Sequence, residues 1–346
     1  MTDSPAALPG AGGSGKEARP SEVGPEHGPK YALLSIVSNA SLIVLKLLAG
    51  LLTGSVAIIS EAAHSCLDLL AAFMTWTALR FSQHPPDRDH PFGHGKAENL
   101  ASLFEALLIV AGGLYIVKEA VEALMGEREL PSLSAGAAVM FLSSVVNFLV
   151  SRFLFKKGEL LGSPALVADA WHLRADVYSS LGITGALLVI QAGAWINPAW
   201  NLDFIDSAAA LVVSFFILKT GWTLAREAAT NLLDHSLAQE ELRLIEDRIA
   251  TRAPGVRGYR RLRTRRSGPF RMIAVELLVD GSLSLWEAHD LGQKVADDIR
   301  ESYPRADVTF HLEPVHPGPF CEFRPGRLPG DRGRLRGGGA PAPRDA

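Results

Sequence analysis

The sequence predicts an α-helical membrane protein with six transmembrane helices, followed by a small α+β domain, on three observations. Long apolar runs crowd residues 31–225 while the flanks are polar, so the hydrophobic fraction of 48% averages over two unlike parts. Few ionisable residues interrupt those runs. After about residue 235 the pattern changes to short strands and amphipathic helices. A chain of 346 residues has room for both parts. The expected division is a disordered tail over 1–29, a membrane domain over 30–226, a cytoplasmic domain over 235–316 and a second disordered tail over 317–346.

The first 29 residues are rich in Gly, Pro, Glu and Ser and hold no apolar core. The first apolar stretch starts too late and runs too long for a cleavable signal peptide, so it is expected to remain as an anchor. Spans of roughly 20 apolar residues are needed to cross a bilayer. Six segments qualify, at about 31–53, 55–82, 97–123, 131–155, 162–193 and 203–225. The link at Thr53, Gly54 and Ser55 is so short that the first two spans form a tight helical hairpin.

Orientation follows from the distribution of Lys and Arg among the short loops. Arg80, Arg88 and Lys96 follow span two, and Arg152, Lys156 and Lys157 follow span four. The link from Gln191 to Phe204 has neither residue type, and Arg128 after span three lies between Glu127 and Glu129. Even-numbered spans therefore end in the cytoplasm, with both termini on that side.

Beyond span six, residues 237–252 place Leu242, Ile245 and Ile249 at helical spacing. Strand-like runs at about 256–266 and 270–280 are joined by a Ser267–Gly268–Pro269 turn. A helix over about 285–302 and a strand near 307–313 complete an α-β-β-α-β order, which suits an open-faced sandwich with helices on one side. Two cysteines, Cys66 in a span and Cys321 in the tail, exclude a disulfide framework or a cysteine-rich zinc module.

Placing a charge in hydrocarbon costs several kcal/mol, so ionisable residues inside spans point to function. Span two holds Glu61, His64 and Asp68, and span five holds Asp169, His172 and Asp176. Both sets follow acid-x-x-His-x-x-x-Asp, which puts each set along one helical face. One His–Asp pair alone suits a buried polar network as well as a ligand pair. Its repetition in two spans favours a site in which His64, Asp68, His172 and Asp176 offer two imidazoles and two carboxylates, a tetrahedral set suited to zinc. Glu61 and Asp169 fit a role outside the ligand set, orienting the histidines.

The loop from His84 to Lys96 reads HPPDRDHPFGHGK, and Asp87, His90 and His94 could close on one metal. In the soluble domain Glu276, His289, His311 and Glu313 are further metal-ligating types, with His311 and Glu313 on one face of a strand. The Arg-rich strand with Arg257, Arg260, Arg261, Arg263, Arg265 and Arg266 has no aromatic platform or nucleic-acid motif beside it. A basic surface near the inner leaflet explains it better, and no nucleic-acid partner is expected.

The strings SEAAHSCLD in span two, HPFGHGKAE in the loop, ADAWHLRAD in span five and LRTRRSGP in the soluble domain resemble the cation diffusion facilitator family. The resemblance runs from about Tyr31 to Pro314. It implies a homodimeric antiporter of six spans with a ferredoxin-like cytoplasmic domain, exchanging a cytoplasmic divalent cation for protons. By motif position, His64, Asp68, His172 and Asp176 match the transport site, and Asp87, His90 and His94 match a second site in the loop. Lys96 and Asp234 match a charge pair that locks protomers together near the membrane surface. Glu276, His289, His311 and Glu313 fall at positions of a two-metal cytoplasmic site, but Arg260 stands where some relatives have His, and Glu276 replaces another His. A cationic Arg would repel a metal. Some bacterial relatives have Asp where this chain has His64, and the His–Asp, His–Asp set raises zinc over iron or manganese. The His-rich loop of some eukaryotic members is absent between spans four and five.

The expected function is thus proton-coupled efflux of a divalent metal, foremost Zn2+, with Fe2+, Cd2+, Co2+ or Mn2+ as alternative cargo. No resident cofactor is expected, and the partners are the metal ion, a second copy of the chain and the lipid bilayer. The expected location is a bacterial inner membrane. Two other classes fit parts of the sequence: a membrane di-metal enzyme built on the Glu61-x-x-His64 spacing, and a metal sensor centred on the soluble domain.

Overall fold

The computed structural model describes residues 27–53, 56–125, 136–196, 204–251 and 255–315. The expected tails (apart from His27, Gly28 and Pro29), the link at Gly54 and Ser55, the Arg128 loop, Cys321 and the side chain of Glu61 lie outside these described residues.

A helical transmembrane domain comes first and a domain with a small sheet follows. The helices are α1 (Gly28–Thr53), α2 (Val56–Ser82), α3 (Lys96–Met125), α4 (Gly136–Leu161), α5 (Pro164–Ile196) and α6 (Phe204–Leu232). Among the described residues, four stretches are long and apolar enough to cross a membrane: Gly28–Leu52, Ala62–Ser82, Lys96–Met125 and Ser207–Leu232. The other two helices carry more charge, with Arg152, Lys156, Lys157 and Glu159 on α4 and Asp169, Arg174 and Asp176 on α5.

The bundle hides small side chains and displays large ones. Ala32, Ala101, Ala165 and Ala170 are buried with Leu79, Leu154 and Leu166 in a cluster drawn from α1, α2, α3, α4 and α5. Ala106, Ile109, Ile217 and Leu224 join α3 to α6. By contrast Leu48, Leu70, Phe141, Phe215 and Trp222 are exposed. Small residues let helix backbones approach closely, while large apolar side chains facing outward suit a lipid environment.

The second domain comprises α7 (Gln239–Thr251), β1 (Val256–Ser267), β2 (Phe270–Asp280), α8 (Leu285–Ser302) and β3 (Ala306–Val315). The strands lie in the order β1-β2-β3. β2 is antiparallel to β1 and parallel to β3. Along β2, Ile273, Val275, Leu277 and Val279 alternate inward. They meet Ile245 and Ile249 of α7 and Val295 and Ile299 of α8. Each such aliphatic side chain contributes about 1.5–3 kcal/mol when fully buried. Ser284 and Glu287 form a capping box at the start of α8, satisfying donors that the helix leaves unpaired.

The two domains interlock at the turn between β1 and β2. Gly268 adopts φ 56° there, a conformation open to glycine. Its N–H donates to Asn99 Oδ1 at 2.6 Å, and it lies against the carbonyl of Gly95. Arg266 donates to the Gly162 carbonyl at 3.3 Å and Arg305 to that of Leu161, so the same domain also grips the α4–α5 link. Glu98, buried at this junction, accepts from Ser82 at 2.8 Å and from Ser163.

Candidate metal sites

Asp68 projects from α2, while His172 and Asp176 project from α5 one helical turn apart. Ligand atoms of these three residues lie within 4.8 Å of one another. His172 Nε2 is 3.3 Å from Asp68 Oδ1. Both side chains are nearly buried, so an unpaired charge here would be costly and a cation between them would be welcome. Asn39 on α1 donates to the Asp68 carbonyl at 3.4 Å, fixing the backbone of α2 beside the site.

His64, expected as the fourth ligand, sits one turn before Asp68 on α2 and is exposed, outside this group of three. Asp169 is 1% exposed and accepts from Ser35 Oγ of α1 at 3.2 Å. Two residues passed over in the sequence belong to the same neighbourhood. Glu105 of α3 is 1% exposed and faces the other side of His172, with Oε2 at 3.7 Å from Nδ1. Lys46 of α1 is buried and reaches Ser65 Oγ at 2.8 Å. Each is an ionisable residue inside an apolar run, and that signal alone could have found them.

The loop between α2 and α3 brings Asp87, His90 and His94 together, again with ligand atoms within 4.8 Å of one another. Asp87 Oδ1 accepts the backbone N–H of Asp89 at 3.0 Å and of His90 at 2.6 Å, a local turn typical of Asp. The His90 N–H chiefly holds the Asp87 carboxyl below its ordinary value of 3.8, against a smaller effect of desolvation and with help from the His94 charge. The carboxylate is therefore ionised at neutral pH. His94 Nδ1 lies 3.3 Å from the His84 carbonyl, which can accept its proton. Nε2 is then left facing Asp87 Oδ2 at 3.3 Å. A ring nitrogen secured in this way directs the other toward a metal. The Phe81 ring meets His94 edge-on at 4.6 Å and restricts its rotation.

Lys96 Nζ pairs with Asp234 Oδ1 at 2.9 Å within one chain. It also donates to the Leu232 carbonyl at the end of α6, where the helix dipole favours a cation. Arg265 of β1 approaches the same Asp234 carboxylate at 3.0 Å. Asp234 thus ties α3, α6 and β1 at one point.

The cytoplasmic-domain residues are arranged differently. Glu276 faces Arg260 on β1 and His311 on β3. Arg260 Nε lies 3.7 Å from Glu276, and its guanidinium also binds Glu313. Arg261, at φ 48° in a bulge of β1, holds Glu276 at 2.9 Å. His311 is 3.9 Å from Glu313, while His289 packs beside Phe310 with ring centroids 5.8 Å apart. Among the described residues Glu276, His289, His311 and Glu313 form no metal-holding group.

Residues 32–233 match the model of the cation efflux transmembrane domain, and residues 237–315 match that of the cation efflux protein cytoplasmic domain. An uncharacterized transporter of Synechocystis sp. is 35% identical over 303 residues, covering 85% of this chain and 95% of its own. The cation-efflux pump FieF of Pectobacterium atrosepticum is 32% identical, covering 87% of this chain and 99% of its own. A solved zinc form of CzrB is 32% identical over 23% of this chain and 92% of its own, with a TM-score of 0.21. Members of the matched family are transporters rather than enzymes, which sets aside the di-metal enzyme reading. The chain belongs to the cation efflux, or cation diffusion facilitator, family of metal transporters.

Proposed function

We propose that this transporter exports a divalent transition metal, foremost Zn2+, from the cytoplasm in exchange for protons. The observation that carries the reading is the convergence of Asp68, His172 and Asp176 from two membrane helices. Imidazole and carboxylate together suit zinc, with Cd2+, Fe2+, Co2+ and Mn2+ as the other cargo of this class. His64, one turn from Asp68, serves as the fourth ligand when the ion is bound. Imidazole ligates metal only as the neutral base, so metal and protons compete for the same nitrogens. Protons arriving from outside expel the ion, and the spans then rock back.

In this reading all six helices cross the bacterial inner membrane, with both termini in the cytoplasm. The soluble domain is ferredoxin-like and pairs with that of a second copy. The Asp87, His90 and His94 loop holds a second ion near the membrane surface.

The test is zinc flux in proteoliposomes with an imposed pH gradient. Flux driven by the gradient, abolished in Asp176→Ala, is the expected result. Flux indifferent to the gradient defeats proton coupling, and full flux in Asp176→Ala defeats the site. His64→Asp is expected to retain transport but weaken the preference for Zn2+ over Fe2+ and Mn2+. Unchanged preference counts against the fourth ligand.

A further inference from the structure

Glu105 has no role in the ligand set of Asp68, His172 and Asp176, yet it stands beside it inside the membrane domain. A fully buried acid must be matched by neighbouring polar groups or it destabilises the fold. Thr75 of α2 donates to Oε1 at 3.0 Å, which fixes one end of the carboxyl group. Oε2 has no hydrogen-bond partner among the described residues, and neither has His172 Nδ1. These two atoms face each other across 3.7 Å. A normal N–H···O distance is about 2.7–3.2 Å, so a small turn of the imidazole closes the gap. The opposite ring nitrogen, Nε2, already points at Asp68.

We propose that Glu105 is a positioning residue for the transported ion: it accepts the Nδ1–H of His172, which fixes the tautomer and presents the Nε2 lone pair to the metal. The proposal rests on the reading of Asp68, His172 and Asp176 as the transport site. Its chemistry is the same as in the loop, where the His84 carbonyl faces Nδ1 of His94 and Nε2 looks toward Asp87. Here the acceptor comes from a third helix. Thr75 and Glu105 therefore link the rotation of a metal-binding imidazole on α5 to the packing of α2 against α3. Removing such an outer partner typically costs about 10–100-fold in metal affinity.

The experiment measures KM and maximal rate for Zn2+ in proteoliposomes holding the full chain, with melting temperature as a folding control. Glu105→Leu removes the acceptor and is expected to raise KM roughly 10–100-fold while the maximal rate changes far less. Glu105→Gln keeps an oxygen for the Nδ1–H and an amide N–H for Thr75, and is expected to stay near the parent KM. If Glu105→Leu fails to fold, Thr75→Val takes its place: a raised KM, restored in Thr75→Ser, supports the proposal. A parent-like KM in Glu105→Leu, or in Thr75→Val where that variant is the one used, overturns it. A Glu105→Gln variant as impaired as Glu105→Leu overturns it too, because the acidic group itself is then what matters. Failure of the underlying site is separate: Asp68→Ala and Asp176→Ala would then transport normally.

Discussion

Arg260 and Glu276 lie directly opposite each other on paired strands, with Nε 3.7 Å from the carboxylate. The guanidinium supplies the positive charge that a divalent ion would bring to Glu276 and Glu313. A metal would have to displace a cation already held by two carboxylates.

The cytoplasmic domain is therefore expected to bind no metal through this group. Measured by elemental analysis of the purified chain after zinc exposure, stoichiometry should be unchanged in Glu313→Gln and His311→Ala. Arg260→His should raise it by one ion per chain or more. Loss of bound zinc in His311→Ala would show that the arginine does not exclude the ion.

The tie at Asp234 has a defined pH dependence. Lys96 first, and then Arg265, hold its carboxyl below the ordinary value of 3.8, with desolvation opposing them. A group whose folded pKa is depressed adds stability that is complete above the unfolded value and lost as pH falls through the folded one. The tie is thus whole at neutral pH, starts to weaken as pH falls past the ordinary value of 3.8 and is lost through the lower folded one. Because the pair is half-exposed, Asp234→Asn should cost at most about 1 kcal/mol at pH 7, or a few degrees of melting temperature. The two melting curves should converge as acid protonates Asp234, and a gap that does not narrow with falling pH contradicts the assigned sign.

Gly292 on the buried face of α8 touches the Phe310 ring, and an added Cβ would stand 2.6 Å from Cδ2. Helix propensity favours alanine by about 1 kcal/mol. Overpacking costs about 1–3 kcal/mol and should outweigh it. Gly292→Ala is expected to unfold earlier in denaturant, and adding Phe310→Leu should restore part of the loss. Equal or greater stability in Gly292→Ala would mean the ring moves aside freely.

Much of this was legible in the sequence for physical reasons. The period-two run Ile273, Val275, Leu277 and Val279 and the helical spacing of Leu242, Ile245 and Ile249 specify their elements without help from distant residues. The expected 256–266 strand is found at Val256–Ser267, and the expected 285–302 helix at Leu285–Ser302. Asp68, His172 and Asp176 stood out because acids and imidazoles are rare in apolar runs. Glu105 was as visible, but it lacks a histidine one turn away, and its relation to His172 exists only once α3 packs beside α5. The left-handed Arg261 was hidden for a different reason: no glycine announces the bulge that holds it. Helical spacing likewise puts His64 one turn from Asp68, yet it does not determine how far that turn faces the bundle interior.

The seating of Gly268 against Gly95 and Asn99 has a mechanical consequence. The contact falls beside His94 of the loop and on the first turn of the helix that carries Glu105 two turns further on. A push or pull on the sheet would bear on the first turn of the helix whose Glu105 faces His172. The hairpin then acts as the handle of a crank. On the proposed reading of Asp68, His172 and Asp176 as the ion's site, a displacement of the hairpin would reach that site along one continuous helix, whose Glu105 lies 3.7 Å from His172.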